Sequence, residues 1–251
     1  GGQPGQDPAA LGAAATRDEA ARWITAQVAP SAVVACDPAM CAALQADGVT
    51  ASRLVVLGTA AADPLGSDVV VATAAVRSQF GARLESVYAP ALVASFGTGA
   101  GRIDVRAIAP DGAAAYQSSA AADRRDRISA GTQLLGNPQI TAAAAAQAAL
   151  RAGDVDPRLL MLLAALAVQQ PVRIDSFGDA APGAGSAVPL RSAVIAPRAS
   201  GAKAGALTQS LLSFIDAQRQ PYLPLHASLD GTSALTVEYA APSPLGLLSG
   251  P

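Results

Sequence analysis

Three short apolar segments in the first 73 residues constrain the fold of this chain more than any other feature. They are "AVVAC" at 32–36, "RLVVL" at 53–57 and "DVVVAT" at 68–73, and their apolar residues follow one another without polar alternation. Such segments are typical of strands in a parallel sheet that helices cover on both faces. We therefore expect helices between and around them.

Start signals for helices occur at the expected places. Thr16 and Glu19, three residues apart, form a capping box that opens a helix. Asp37 and Pro38 pair an N-cap with a proline at the first helical position, and Thr73 caps a shorter helix. The N-terminal half is thus predicted to alternate helices and strands.

A glycine-rich stretch, "ASFGTGAGRIDVR" at 94–106, is either a phosphate cradle or a turn. A phosphate cradle requires a helix that starts directly after the glycines. Here the glycines precede the alternation of Ile103 and Val105 with charged residues, which is typical of a strand. The sequence predicts a hairpin whose glycines supply positive φ, with phosphate binding as the alternative.

Beyond Pro110 the pattern changes to longer helices. The predicted elements are helices at 113–136, 141–152 and 157–170, strands at 171–177 and 189–196, a helix at 203–218 and a hairpin at 222–239. The connection at 110–112 has three residues, so we expect the first of these helices to bury its apolar positions against the first sheet.

These patterns predict an α/β protein with two lobes. The N-terminal lobe, 16–110, is expected to be Rossmann-like, with a mostly parallel sheet in three layers and a closing β-hairpin. The C-terminal lobe, 111–241, is expected to be a helix-rich α+β structure. Residues 1–15 are predicted to form a flexible linker and residues 242–251 an irregular tail.

Two cysteines, Cys36 and Cys41, lie where the first strand meets the next helix. A redox pair would have two intervening residues instead of four, and zinc would need more ligands than two cysteines and the single His226 provide. A structural disulfide is the favoured interpretation, with a redox pair or a metal site as the alternatives. Because cytosolic thiols are kept reduced, a disulfide indicates an oxidising, extracytoplasmic setting.

The net charge and the hydropathy of the chain argue against nucleic acid and membrane as direct partners. The formal net charge is -2 and Lys/Arg residues form no block, so no nucleic-acid partner is expected. The most apolar run, 159–168, is about half the length that crosses a bilayer. Contact with a membrane is therefore expected only through segments outside this chain, and neither a cofactor nor a metal ion is expected.

Three residues are candidates for ligand binding or chemistry. Asp175 and Asp179 flank "SFG" at the end of an apolar strand, where α/β folds place sites and where paired carboxylates bind a cation or act as acid and base. His226 is the only imidazole in the chain. Each also has a structural interpretation. Aspartates at strand ends often form turns and helix caps, and His226 can be an exposed or hydrogen-bonded structural residue. No catalytic residue is assigned.

The segments up to Pro110 resemble a known family over residues 17–110, the globular C-terminal domain of actinobacterial multipass membrane glycosyltransferase-like proteins. That domain has a Trp-Ile helix before a strand, an Asp-Pro loop before a "DYVV-T" strand, and a closing "VA-FG-G--RIEVR" hairpin. The matching residues are Trp23, Ile24, Asp63, Pro64, Asp68, Val69, Val70, Thr73, Arg77, Phe96, Gly97, Gly99, Ile103, Val105 and Arg106. The resemblance implies an extracytoplasmic α/β domain with structural motifs and no transferase activity, since the family's catalytic residues lie in its membrane portion.

The expected function is that of a non-catalytic, extracytoplasmic binding or assembly domain. It would belong to a bacterial envelope protein anchored by a transmembrane segment outside these residues, with an envelope protein or a glycan as partner. The alternative is a cell-envelope hydrolase or other enzyme that uses Asp175, Asp179 or His226.

Overall fold

The computed structural model describes residues 5, 7–58, 63–178, 181–231 and 233–249. The chain divides into two compact units, Gly1–Tyr116 with Ala181–Gly185, and Gln117–Ala180 with Ser186–Pro251. Each unit contains helices and one five-stranded mixed sheet. The predicted α/β class is therefore confirmed.

The first unit alternates helices and strands. Its elements are α1 (Pro8–Gln27), β1 (Val34–Cys36), α2 (Pro38–Ala46), β2 (Leu54–Val56), β3 (Val69–Ala72), α3 (Ala74–Phe80), β4 (Ala91–Phe96) and β5 (Ile103–Ala107). A π-helical turn, Leu84–Tyr88, lies between α3 and β4. Each of the three apolar segments forms a strand, as the sequence predicts.

The N-cap of helix α1 lies nine residues before the cap predicted at Thr16. Asp7 is its N-cap and accepts a hydrogen bond from the Ala9 N–H at 3.1 Å, and Pro8 occupies the first helical position. This is the same Asp-Pro start signal that opens α2. Residues 8–15 are consequently helical, and the prediction of a flexible linker is wrong for them.

The first sheet has the strand order β2-β1-β3-β5-β4. β1 pairs in parallel with β2 and β3, whereas β5 pairs antiparallel with β3 and β4. The sheet is thus mixed and not mostly parallel, because the closing hairpin joins through β5. Cys36 bonds to α2 on one face, and Ala35 packs with Val76 of α3 on the other, so helices cover both faces.

The second unit begins within a long helix. Its elements are α4 (Ala113–Gly136), β6 (Ile140–Ala142), α5 (Ala144–Ala152), α6 (Pro157–Gln169), β7 (Val172–Gly178), β8 (Ser192–Pro197), α7 (Ala202–Asp216), β9 (His226–Asp230) and β10 (Ala234–Glu238). The strand order is β6-β7-β8-β10-β9, with β6 parallel to β7 and every other neighbour antiparallel.

Strand β6 replaces the predicted start of a helix at residue 141. Ile140 is 7% exposed and pairs in register with Val172. Alanine-rich sequence favours helix, but here burial of Ile140 and a ladder with β7 override that local preference. Helix α5 starts only at Ala144.

The core of the second unit lies on one face of its sheet. Alternate residues of β7, β8 and β10 point into this core with side chains of α5, α6 and α7. The sheet residues that do so are Val172, Ile174, Ala193, Ile195, Leu235 and Val237.

Helix α4 also packs within this unit. Its Arg127 Nε donates to the carbonyl of Gly153 at 2.8 Å, and its Gly131 lies against the backbone of Leu150. The short connection before α4 predicts burial against the first sheet, whereas these buried positions contact α5 and the turn that follows it.

The end of the chain forms no helix or strand over residues 242–249, as predicted, yet specific hydrogen bonds hold it. Ser243 Oγ donates to Asp156 at 2.6 Å, and the Gly246 N–H donates to Asp123 at 2.9 Å. Within the described residues, no helix combines the length and hydropathy needed to span a bilayer.

Candidate functional site

The carboxyl ends of parallel strands are the usual ligand position in α/β folds, and Asp37 occupies that position after β1. Its Oδ1 accepts the Met40 N–H at 2.7 Å, and its Oδ2 accepts a hydrogen bond from the Thr73 hydroxyl, which follows β3. A carboxylate therefore already complements the N-terminus of α2. Its negative charge disfavours phosphate at this edge.

The glycine-rich stretch is a hairpin loop, as predicted. Phe96 of β4 pairs with Ile103 of β5, and Gly97 has φ 69°. Arg77 of α3 holds the loop by donating to the carbonyls of Arg102 at 2.6 Å and Ala100 at 3.0 Å. The loop carbonyls thus have partners within the unit, and the following segment is a strand instead of a phosphate-binding helix.

Other residues of the family-like motifs also position elements. The Trp23 and Phe96 rings lie 5.9 Å apart, joining α1 to the hairpin. Asp68 accepts the Val33 N–H at 2.8 Å, and Arg106 donates to the carbonyl of Ala89 at 2.7 Å. These motifs are therefore structural in this chain.

The two cysteines form a disulfide. Cys36 and Cys41 have a Cα–Cα distance of 5.4 Å and are 0% and 4% exposed. Burial removes both sulfurs from solvent, so the bond is structural and not a surface redox pair. It indicates that the chain belongs in an oxidising, extracytoplasmic environment.

Reduction of this disulfide is expected to lower the free energy of unfolding by about 2 kcal/mol, at the low end for disulfides because the closed loop is short. Urea unfolding with and without reductant measures the change, and the Cys36→Ala/Cys41→Ala double variant is the control that reductant should leave unchanged. Two titratable thiols in non-reduced, denatured protein would contradict the assignment.

The predicted candidates Asp175 and His226 do not meet. Asp175 lies at a bulge in β7 and binds Arg173 Nε at 2.6 Å, a hydrogen bond that raises the pKa of Arg173. His226 begins β9, opposite Glu238, and is exposed. Strands β8 and β10 lie between them, a separation of about 14 Å across the sheet. Asp179 lies outside the described residues.

Both of these residues belong to a surface that we name the polar face, the side of the second sheet opposite its core. It carries two rows of side chains aligned across the strands. One row is Ser176, Val194, Thr236 and Ser228, and the other is Ser192, Glu238 and His226, with Arg173 and Asp175 beside them. These side chains are half-buried or exposed.

The rows follow from strand alternation. Because successive side chains point to opposite faces, burying Ala193, Leu235 and Val237 forces their neighbours onto the polar face. Gly178 ends β7 beside Ser192, whose hydroxyl would lie 3.0 Å from a Cβ at this glycine. The result is a sheet surface with hydroxyl, carboxylate, guanidinium and imidazole groups.

The buried charges of the second unit lie elsewhere and serve its packing. Asp156 is 0% exposed and binds Arg158 through both carboxylate oxygens, at 3.0 and 2.8 Å. The Arg158 guanidinium lies 4.9 Å from the centre of the Tyr239 ring and donates to the carbonyl of Ala240. Burial raises the pKa of Tyr239 well above its usual range, and its hydroxyl donates to the carbonyl of Tyr222.

Two further carboxylates are buried with arginine partners. Asp123 binds Arg127 one helical turn away, and Asp104 of β5 accepts from the Ser95 hydroxyl at 2.6 Å and pairs with Arg102 at 3.1 Å. Such partners compensate the desolvation of each carboxylate. In the part of the chain that the structure describes, no three His, Cys, Asp or Glu side chains are grouped to hold a metal ion.

Comparison of the chain with family models, with curated proteins and with solved structures gives no match. The geometry of its own residues thus carries the functional argument.

Proposed function

We propose that this chain is an extracytoplasmic, non-catalytic binding domain of a membrane-anchored bacterial envelope protein. The single observation that carries the proposal is the polar face, where two side-chain rows cross the second sheet. The disulfide supports the extracytoplasmic setting. The separation of Asp175 from His226 supports binding over hydrolysis, because general acid–base catalysis needs such groups within reach of one substrate.

The chemistry of the polar face favours a glycan over a protein partner. Interface cores between proteins concentrate aromatic and large apolar side chains. Val194 is the one large aliphatic side chain in the two rows, and hydroxyl and charged groups surround it. Hydroxyls donate to and accept from a polyhydroxylated ligand, and carboxylates accept from it. Acidic and basic groups are balanced, which suits a ligand with little net charge.

We also propose that the first unit is a Rossmann-like domain of the family that residues 17–110 resemble. The parallel β2-β1-β3 part of its sheet, with α2 crossing between β1 and β2, supports this relationship.

Co-sedimentation with insoluble cell-wall polysaccharide from a high-GC Gram-positive bacterium tests the proposed function. Thr236→Arg, at the centre of one row, is expected to weaken binding about tenfold or more, because the guanidinium occupies the face and a hydroxyl is lost. The control Gln209→Arg adds the same charge at an exposed position of α7 and is expected to bind like the wild type.

Three outcomes would overturn the proposal. They are wild-type protein that stays in the supernatant, equal loss of binding in Thr236→Arg and Gln209→Arg, and release of soluble sugar that disappears in His226→Ala. The last outcome would favour the hydrolase instead.

A further inference from the structure

Strand β9 is a free edge of the second sheet. Among the described residues it pairs with β10 alone, and four of its five residues are exposed. Leu229 is 43% exposed although it lies on the same side of the strand as Ala227, which packs on the core. The outer backbone groups of β9 are thus available to another strand, and an apolar side chain lies beside them.

Two copies of β9 have complementary side chains when they pair antiparallel. If two β9 strands meet with their Ser228 residues opposite each other, each His226 lies opposite an Asp230, and each Ala227 lies opposite a Leu229. Opposite charges in directly opposed positions stabilise a strand pair, whereas like charges destabilise it. A two-fold axis through Ser228 therefore produces two charge pairs and covers both copies of Leu229.

We propose that this chain forms a symmetric dimer in which β9 pairs antiparallel with β9 of a second copy. The two five-stranded sheets then become one sheet of ten strands, and the polar face continues across the two-fold axis through Ser228. Two-fold dimers are the commonest assemblies of identical chains. The proposal does not depend on what the polar face binds.

The dimer is expected to be weak. A five-residue strand buries much less than the roughly 800 Å² per partner of a stable protein interface. The dimer should therefore be detectable only at high protein concentration. The membrane anchoring proposed above would raise the local concentration of copies and so strengthen association.

Sedimentation velocity at increasing protein concentration tests the dimer. Leu229→Lys puts a charge at the proposed interface and is expected to leave only monomer, because lysine on an edge strand blocks pairing. The matched control is Val168→Lys on α6, where the wild-type side chain is 82% exposed, and this variant is expected to dimerise like the wild type. A monomer at all concentrations, or loss of the dimer in Val168→Lys but not in Leu229→Lys, would overturn the proposal.

Exchanging the two charged residues tests the register. His226→Asp places two carboxylates opposite each other in each pair and Asp230→His places two imidazoles opposite each other, so each variant is expected to weaken the dimer about tenfold. The double variant restores opposite charges and should recover the wild-type affinity. Glu238, which lies opposite His226 in the same copy, is unchanged throughout. A double variant as weak as the single ones would overturn this register.

Discussion

Replacing Asp156 with alanine is expected to lower the free energy of unfolding by about 3–5 kcal/mol. The change leaves the Arg158 guanidinium, 9% exposed, without its carboxylate in the interior of the second unit. It also removes the side chain that caps α6 by accepting the Arg158 N–H at 2.8 Å, and the partner of Ser243 at 2.6 Å. Urea unfolding of the variant and the wild type measures the difference.

The neighbouring ion pair provides the control for this prediction. Asp154 binds Arg124 at 3.2 Å, but their side chains are 35% and 47% exposed. Solvent screens such a pair, so Asp154→Ala should cost less than about 1 kcal/mol. The Asp156→Ala/Arg158→Met double variant should be more stable than Asp156→Ala, because no unpaired charge remains. Equal losses in Asp154→Ala and Asp156→Ala would contradict the role of burial.

Replacing Gly131 with alanine is expected to destabilise the protein by about 2–3 kcal/mol. Gly131 lies in α4 where the helix meets α5, and a Cβ there would lie 2.9 Å from the carbonyl carbon of Leu150. The methyl group would clash with backbone atoms, and backbone atoms, unlike a side chain, cannot relieve a clash by changing rotamer. The helices must separate to admit the methyl group, and thermal unfolding should show the loss.

Gly136 at the end of the same helix gives the matched control. A Cβ at this position meets nothing within 4 Å, so alanine is expected to be neutral or to stabilise the helix by up to about 1 kcal/mol. If Gly136→Ala and Gly131→Ala destabilise equally, the close approach of α4 to α5 is not the cause of the loss, and helix propensity and chain entropy cannot explain it either, because both favour alanine over glycine.

Much of the first unit follows from local sequence. Apolar segments without polar alternation became β1, β2 and β3, and the pairing of Asp37 with Pro38 opened α2. The same signal at Asp7 opens α1, although the surrounding Gly- and Pro-rich sequence predicts a linker. The hairpin at Gly97 also followed from local pattern, since alternation after a glycine turn favours a strand.

The candidate site was predictable only in part. Asp175 and His226 were visible as residue types suited to chemistry, but their separation depends on which strands lie between β7 and β9. Thr236, Ser192 and Ser228 carried no local signal. They form rows only because β8 and β10 pair in a particular register, which long-range packing sets.

The sequence by itself determined most of the helices and strands, with β6 and the start of α1 as exceptions, and it also determined where the disulfide forms and which strands have continuous or alternating apolar side chains. These are local properties, since caps, glycine φ values and periodicity act within a few residues. The tertiary structure alone decided that the first sheet is mixed, that β6 pairs with β7, that α4 packs on α5 through Gly131, and that the Arg158 guanidinium lies over the Tyr239 ring. Each of these depends on contacts between residues distant in the chain, whose free energy exceeds the local preferences that oppose it.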